Sequence, residues 1–451
     1  MASRATQIRV TVLRHAARAI FHSRFGFASR TERRAAFARE LRLAFQELGP
    51  AWIKLGQLIS VRPDLFASEY VFEMERLRDA VEPLPAAAIR RVILADFGRD
   101  ADELFSAFED VPVASASIAQ VHRARLAEEY RPVVGPVLPA GTPLAIKVVR
   151  PGAERAILAD IATAMPLAER LGRMGPLKRF NIPGLLEEFA ASLASECDMR
   201  NEAGVADRFA FDFRSDPLVM VPRVIWSRTS RRVLAMEYVE GWRLSDLDEP
   251  AREGIDARGL AQHGAEVFMR CVLELGRFHA DLHPANVFVT RDGRICYLDF
   301  GIVGTTERSQ RAAIAQVLAA TVYGDADRAL RYSAELGLII PAREQALVRE
   351  RVAALMESTL GNPPRDVKGF AIGFLRVMND AGAVVPIGFG LLIKALVTVE
   401  GVARAIYPDL DITESAKPYA TRLVAAHVMS AERLYAKGPD AVRAAIRELA
   451  G

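Results

Sequence analysis

Two short motifs constrain this 451-residue chain more than any other feature. The first runs from His279 to Asn286 and reads His-Ala-Asp-Leu-His-Pro-Ala-Asn, and Asp299-Phe300-Gly301 begins thirteen residues later. Phosphoryl transfer needs a carboxylate near the attacking hydroxyl, an amide oxygen on one Mg²⁺ and a second carboxylate between metal and phosphates. Asp281, Asn286 and Asp299 can supply these groups in that order. Either motif alone is weak evidence because such sequences recur by chance, but the two together predict a phosphoryl-transfer site.

Composition sets broad limits on the class of protein. A chain that is 51% hydrophobic at this length can bury a large core in about two to four domains or lobes. The formal net charge of +3 gives no argument for nucleic-acid binding, and we expect none. The three cysteines have neither metal-ligand nor redox spacing, so we interpret them as structural thiols in a reducing compartment.

The N-terminal segment is basic, since residues 1–40 hold nine arginines against Glu32 and Glu40. Between residues 8 and 21, apolar side chains alternate with arginines at near-helical spacing. Such a helix suits an anionic membrane surface, and it equally suits packing on its own domain. Both interpretations stay open. The apolar residues are Val10, Leu13, Ala17, Ile20 and Phe21, and the arginines are Arg9, Arg14 and Arg18.

The same arginines interrupt every candidate secretory signal, so we expect a cytoplasmic protein, and a peripheral location at the inner face of the membrane stays open. The apolar run Ala383–Ile393 has eleven residues and contains Pro386. A spanning helix needs about 20 residues, and we therefore predict no transmembrane segment.

The pattern of periodicity divides the chain into three regions and a tail. Residues 1–105 are predicted to form a helical extension broken at Gly49-Pro50, residues 106–240 a small sheet with one long helix, and residues 241–410 a mainly helical lobe. Residues 411–451 are predicted to be a helical tail. The predicted strands are Ile118–Leu126, Leu144–Val149, Leu218–Ile225, Arg232–Tyr238, Val287–Val289 and Ile295–Leu298, and the long helix is Pro183–Phe213.

Lys147 interrupts the apolar strand Leu144–Val149 and must meet an anion, because an unpaired buried ammonium is costly. The sequence around it matches the Val-Ala-Ile-Lys pattern, whose lysine holds nucleotide phosphates. Its partner is expected on the long helix, which offers Glu196, Asp198 and Glu202. At about 100° per residue, Asp198 and Glu202 share a face and Glu196 lies about 120° from Glu202, so all three cannot serve one lysine. Which glutamate pairs with Lys147 is left open.

Two further segments are candidates for the site. Where protein kinases have a Gly-rich loop over the phosphates, this chain has the Ala-rich sequence Ala114-Ser115-Ala116-Ser117, whose methyl groups restrict positive φ. Glu237 and Val239, at the end of the strand Arg232–Tyr238, are also predicted to bind nucleotide. By composition alone, Lys54 and Gln57 are surface residues of a helix.

Together these motifs resemble the UbiB family of atypical kinase-like proteins, also called the AarF group. The matching segments are Lys54-Leu55-Gly56-Gln57, the Ala-rich loop, Glu196-Cys197-Asp198 and the loop His279–Asn286. The resemblance, over residues 45–405, implies a two-lobed α+β protein-kinase-like fold with a family-specific helical N-terminal extension. It also implies that the Lys-x-Gly-Gln segment covers the place of a protein substrate, that Lys54 faces Glu196 and Asp198, and that Glu202 pairs with Lys147. Leu282 and Ala285 depart from the family's usual proline and glycine.

The resemblance implies a Mg²⁺-dependent ATPase that binds ATP or ADP and supports ubiquinone or related isoprenoid lipid biosynthesis. Asn286 and Asp299 are expected on the metal, Lys147 on the phosphates, and Asp281 as the catalytic residue that orients water or a hydroxyl. Possible partners are quinone-biosynthesis proteins, an isoprenoid lipid and an anionic membrane. Two alternatives remain: a nucleotide-sensing scaffold without turnover, and a phosphotransferase acting on a protein or small molecule.

Overall fold

The computed structural model divides into two compact units, Met1–Gly241 with Cys296–Gly301, and Trp242–Ile295 with Ile302–Gly451. It describes residues 4–25, 30–60, 66–77, 81–173, 182–243, 254–280, 282, 286–301, 303–363, 365–415 and 417–419. Asp281, Ala285 and most of the predicted C-terminal tail lie outside these residues.

The extension is helical, as predicted. Gly49 has a φ of 97° and its N–H donates to the carbonyl of Phe45, which ends the second helix. Pro50 begins the third helix, at a position where an N–H would have no partner within the helix. The helices are α1 (Arg4–Phe25), α2 (Arg30–Leu48), α3 (Pro50–Ser60), α4 (Ser68–Glu75), α5 (Ala86–Phe97) and α6 (Ala101–Leu104).

A four-stranded antiparallel sheet follows in the order β1-β2-β3-β5. Leu144, Ile146 and Val148 of β3 are fully buried against a core that includes Ile89 and Ile93 of α5. Because side chains alternate along a strand, Lys147 lies on the other face of the sheet. The strands of the first unit are β1 (Phe105–Ser115), β2 (Ala119–Leu126), β3 (Pro143–Val149), β4 (Val219–Met220) and β5 (Val233–Glu237).

The prediction of strands at β2, β3 and β5 is confirmed, but one strand was missed and another was predicted too long. Residues 105–115 form a strand that was not predicted, because β1 is at the sheet edge and exposes side chains on both faces. The predicted strand Leu218–Ile225 shrinks to Val219–Met220 and an isolated bridge from Val224 to Met236.

The predicted helix Pro183–Phe213 is two helices, α8 (Ile182–Glu196) and α9 (Met199–Asp212), which follow α7 (Ala153–Gly172). Asp198 has extended backbone and caps α9, since its side chain accepts from the N–H of Arg200. The N–H of Met199 donates to the carbonyl of Arg231 instead of to α8. The assumption that Asp198 and Glu202 share one continuous helix face was therefore wrong.

The second unit is mainly helical, as predicted. Its described helices are α10 (Ala257–Arg270), which continues as the π-helix Cys271–Leu275, α11 (Arg308–Val322), α12 (Ala326–Glu335), α13 (Gln345–Leu360), α14 (Val367–Asp380) and α15 (Ile387–Ile406). The short strands β7 (Arg277–His279) and β10 (Val303–Thr305) pair antiparallel. The remaining strands are β6 (Gly241–Arg243), β8 (Val287–Thr290) and β9 (Ile295–Tyr297). No described helix is both long and apolar enough to cross a bilayer.

Candidate nucleotide site

Lys147 is held by Glu202 on the face of the sheet opposite the core. Its Nζ donates to Oε1 and Oε2 of Glu202 at 2.8 and 2.9 Å, and Oδ1 of Asp299 lies 3.6 Å away. The side chain of Glu202 is 9% exposed, so the pair lies largely out of water. The register of β3 with β2 and β5 fixes the position of Lys147, and the first turn of α9 fixes the position of Glu202.

The charges around Lys147 keep it an ammonium. Burial alone lowers the pKa of Lys147, but the negative charges of Asp299 and Glu202 outweigh burial and raise that pKa. Burial raises the pKa of Glu202 and the nearby Asp299 adds to this, while Lys147 opposes both. One cation between two carboxylates leaves local negative charge, which a divalent cation can balance.

Asp299 has a left-handed backbone conformation, which is uncommon for a residue other than glycine. Its φ of 58° makes it the only non-glycine residue with positive φ among those described, and its side chain is half exposed. The N–H of Gly301 donates to Oδ1 of Asp299 at 3.2 Å. The carboxylate is therefore oriented by its own turn and stays accessible to a ligand.

Phe300 links this turn to the helix that carries Glu202. The ring of Phe300, 4% exposed, lies 5.1 Å from the ring of Phe209, measured between centroids. Phe209 is two helical turns beyond Glu202 on α9. A shift of α9 would therefore act on Asp299 from two sides, through Lys147 and through Phe300.

Lys54 pairs with the other glutamate of the segment. Its Nζ donates to Oε1 of Glu196, the last residue of α8, at 2.5 Å. Asp198 instead accepts two hydrogen bonds from the guanidinium of Arg200, at 2.8 and 2.6 Å, which lower the pKa of its carboxyl. The break between α8 and α9 thus separates the two lysine partners. The N-cap signal of Asp198 before an acidic first turn was the sequence feature that could have shown this break.

Gly56 allows the Lys-x-Gly-Gln helix to pack closely. A Cβ at Gly56 would lie 2.2 Å from Leu77, 3.0 Å from Phe45 and 3.2 Å from Met74. Lys54 and Gln57 are half-buried, so both are less exposed than composition alone suggested. The hydroxyl of Ser60 donates to the carbonyl of Gln57.

The Ala-rich segment is a tight turn between two strands. Ala114 and Ser115 end β1, the N–H of Ala116 donates to the carbonyl of Ala119 at 2.8 Å, and Ser117 is buried. The guanidinium of Arg150 donates to the hydroxyl of Ser115 at 2.8 Å and to the carbonyl of Glu82 at 3.1 Å.

Gln120 ties the chain that leaves the extension to the same turn, and sequence analysis missed it. Its side-chain amide accepts from the N–H of Leu84 at 2.8 Å and donates to the Leu84 carbonyl at 3.1 Å. Its Nε2 is 2.9 Å from Nε2 of His122, and both residues are fully buried. We call Gln120, Arg150 and Ser115 the linker clamp. A polar residue in a strand gives no sign of burial in the sequence, so the clamp is visible only in the fold.

The remaining predicted residues are less informative. The carboxylate of Glu237 is paired with the guanidinium of Arg223, and its N–H donates to the Arg223 carbonyl, so its side chain is not directed to a ligand. Val239 is buried. Asn286 is half-buried just before β8 in the second unit. Asp281 lies outside the described residues.

Cys197, Cys271 and Cys296 are buried and unbridged. Burial raises the pKa of the Cys197 thiol to about 11, so it is not a thiolate at neutral pH.

Two family models match the chain. The ABC1 atypical kinase-like domain matches residues 76–333, and the UbiB helical domain matches residues 354–411. The chain belongs to this ABC1/UbiB family. The family match also confirms the predicted two-lobed kinase-like α+β fold with a helical extension.

Individual relatives agree with this membership. The chain is 32% identical to "Probable protein kinase UbiB" of Marinobacter nauticus, over 84% of this chain and 68% of that protein. It is also 32% identical to "Protein ACTIVITY OF BC1 COMPLEX KINASE 7, chloroplastic" of Arabidopsis thaliana, over 87% of this chain and 55% of that protein. A second protein named probable protein kinase UbiB, from Shewanella denitrificans, is 31% identical. The chain thus spans little more than half of some relatives.

Proposed function

We propose that this chain is an atypical kinase-like ATPase that binds Mg-ATP or Mg-ADP and supports ubiquinone or related isoprenoid lipid biosynthesis. The observation that carries the proposal is the Lys147–Glu202 pair with Asp299 beside it. A protein kinase uses such a lysine for phosphates, such a glutamate to hold it, and such an aspartate for metal.

The donor chemistry suits Mg²⁺. The ion is usually held by one or two protein oxygens with the phosphates of its substrate, and Asp299 offers an oriented, half-exposed carboxylate. We propose Asp299 and Asn286 as its ligands. Bound there, Mg²⁺ would neutralise charge on the transferred phosphate. Lys147 would orient the phosphates, and Asp281 would orient water or a hydroxyl.

The Ala-rich turn and the strand end at Glu237 and Val239 complete the proposed nucleotide contacts. Ala114, Ser115, Ala116 and Ser117 would approach the phosphates through backbone N–H groups, because alanine and short hydroxyl side chains leave the backbone accessible. The buried carboxylate of Glu237 is already paired, so Glu237 and Val239 would contribute backbone atoms.

The ATPase proposal is tested by phosphate release from Mg-ATP, alongside equilibrium binding of ATP and ADP with and without Mg²⁺. Asp299→Asn should abolish turnover and Mg²⁺-dependent binding. Asp292→Asn, an exposed aspartate of the β8–β9 turn, is the matched control and should keep both. Mg²⁺-dependent binding by the wild type without turnover would favour the scaffold alternative. Transfer of labelled phosphate to a protein or small molecule would favour the phosphotransferase alternative.

The lipid part of the proposal has a candidate place in the second unit. Helices α10 to α15 enclose an apolar cavity of about 100 Å³, lined by residues such as Phe268, Met356, Phe374 and Leu392. The π-helix residue Val272 also lines it, and π-helical turns are frequent at functional sites. This volume is below the usual range for ligand pockets, so the cavity would take a segment of an isoprenoid chain, which a lining without convergent charge suits.

A substitution that fills this cavity would test lipid binding separately from nucleotide binding. Ala371→Phe should displace an isoprenoid quinone analogue in a binding assay and leave nucleotide binding unchanged. Ala319→Phe, on the half-exposed side of α11, serves as a control for the added ring. Unchanged binding of the analogue by Ala371→Phe would rule out this cavity as the lipid site.

A further inference from the structure

Helix α1 exposes a row of large apolar side chains. Val10, Leu13, Ile20 and Phe21 are 54%, 69%, 49% and 63% exposed. At about 100° per residue they cover about 100° of the helix circumference, with Ala17 near the centre of that arc. We call these five residues the α1 stripe. Burying them against an apolar phase would be favourable, since each exposed large side chain costs free energy in water.

The stripe is exposed although α1 is firmly attached to its unit. The buried side chains of α1 are Ile8, Thr11, His15 and Ala19, and they lie opposite the stripe on the helix. His15 Nδ1 is 2.7 Å from Glu40 Oε2 and Thr11 donates to Glu47, both on α2. Arg4 donates to Asp160 on α7. The attachment therefore directs the stripe outward.

Basic side chains border the stripe on both edges. Arg9 lies along one edge and Arg14 along the other, at helical spacing, and Arg18 lies farther round the helix beyond Arg14. Arg14 already pairs with Glu47, whereas Arg9 and Arg18 are exposed and form no ion pair with a described residue. Helix α1 contains no acidic residue at all.

We infer that the α1 stripe is a docking surface for an anionic lipid bilayer. A helix with an apolar stripe between arginines lies in the membrane interface, with the ring of Phe21 and the side chain of Leu13 among the acyl chains and the guanidiniums at the headgroups. A partner helix would be expected to meet both signs of charge at the rim, and α1 offers positive charge only. The inference does not rest on the nucleotide chemistry.

The test is sedimentation of the full-length protein, without nucleotide, with vesicles of phosphatidylcholine alone or mixed with phosphatidylglycerol. Wild type should bind the mixed vesicles and bind less as salt rises. Leu13→Ser with Phe21→Ser should lower the partition coefficient at least about tenfold. Arg9→Gln with Arg18→Gln should also lower it about tenfold and weaken the salt dependence.

The matched control is Val111→Ser with Val133→Ser, which removes two similarly exposed apolar side chains elsewhere in the same unit. Vesicle binding by this control should equal that of wild type. Circular dichroism of each variant should match wild type, because the stripe contributes little to packing. Equal vesicle binding by the stripe variant and wild type, or no binding by wild type, would overturn the inference. Loss of self-association in the stripe variant without an effect on vesicles would instead identify an interface between copies of the chain.

Discussion

The ammonium of Lys147 contacts both carboxylate oxygens of Glu202, so that α9 is tied to the central strand β3 through one ion pair. Glu202→Gln keeps the shape and removes the charge. We expect the free energy of unfolding to fall by roughly 1–3 kcal/mol, because Lys147 loses a partner in a buried place. Lys147 should then turn toward Asp299 and nucleotide should bind more weakly.

Denaturant unfolding and nucleotide titration measure these two effects. Glu103→Gln, in an exposed pair with Arg99, is the control and should cost less than about 0.5 kcal/mol. An equal loss of stability in Glu202→Gln and Glu103→Gln would show that the buried Lys147–Glu202 pair contributes no more to folding than an exposed pair.

The Lys54–Glu196 pair should matter more for turnover than for stability. Glu196 is one-third exposed, so the coupling energy in unfolding should stay below about 1 kcal/mol. Lys54→Met and Glu196→Gln should change ATP turnover in the same direction, and the double variant should add little to either. A double-mutant cycle on both properties checks this, and additive effects on turnover would refute a joint role.

Much of the sheet could be predicted because β2, β3 and β5 are short β-prone runs whose side chains are mostly buried. The edge strand β1 could not, since exposure on both faces removes that pattern. The resemblance implied the pairing of Lys147 with Glu202, and the structure contains that pair. The assumption of one continuous helix misplaced Asp198, which caps α9 and pairs with Arg200. By composition alone Lys54 looked like a surface residue, whereas the resemblance placed it opposite Glu196 and Asp198; in the structure it pairs with Glu196.

Gly56 should be intolerant of even one methyl group. Gly56→Ala places a Cβ against Leu77, Phe45 and Met74, and we expect a loss of about 1–3 kcal/mol from overpacking. Gly204→Ala is the control: this glycine of α9 has open space around its Cβ position, and alanine there should be neutral or stabilising by up to about 1 kcal/mol. Thermal unfolding of both variants measures their difference in stability. An equal loss of stability in Gly56→Ala and Gly204→Ala would contradict the prediction.

Asp96 should contribute to stability only above acidic pH. Burial alone raises the pKa of this α5 carboxyl, but hydrogen bonds from Arg232 at 2.8 Å and Ser230 at 2.6 Å outweigh burial and lower it. The contribution is therefore present above the unfolded pKa of about 3.9 and is lost as pH falls through the lower folded value. Asp96→Asn should destabilise the protein at pH 7 by about 1–3 kcal/mol, and the difference from wild type should shrink below pH 4. Unfolding curves between pH 7 and pH 3 measure it, and a difference independent of pH would contradict the assignment.

The linker clamp should transmit the position of the extension to the Ala-rich turn. Gln120→Met removes both hydrogen bonds to Leu84 while keeping most of the volume, and amide exchange at Leu84 should accelerate at least about tenfold. Because the N–H of Val81 donates to the carbonyl of Ser115, the release should also raise the KM for ATP more than it lowers kcat. Ser106→Ala, which removes two long hydrogen bonds elsewhere on β1, should affect neither quantity. Faster exchange at Leu84 with an unchanged KM would mean that the clamp holds the linker without positioning the turn.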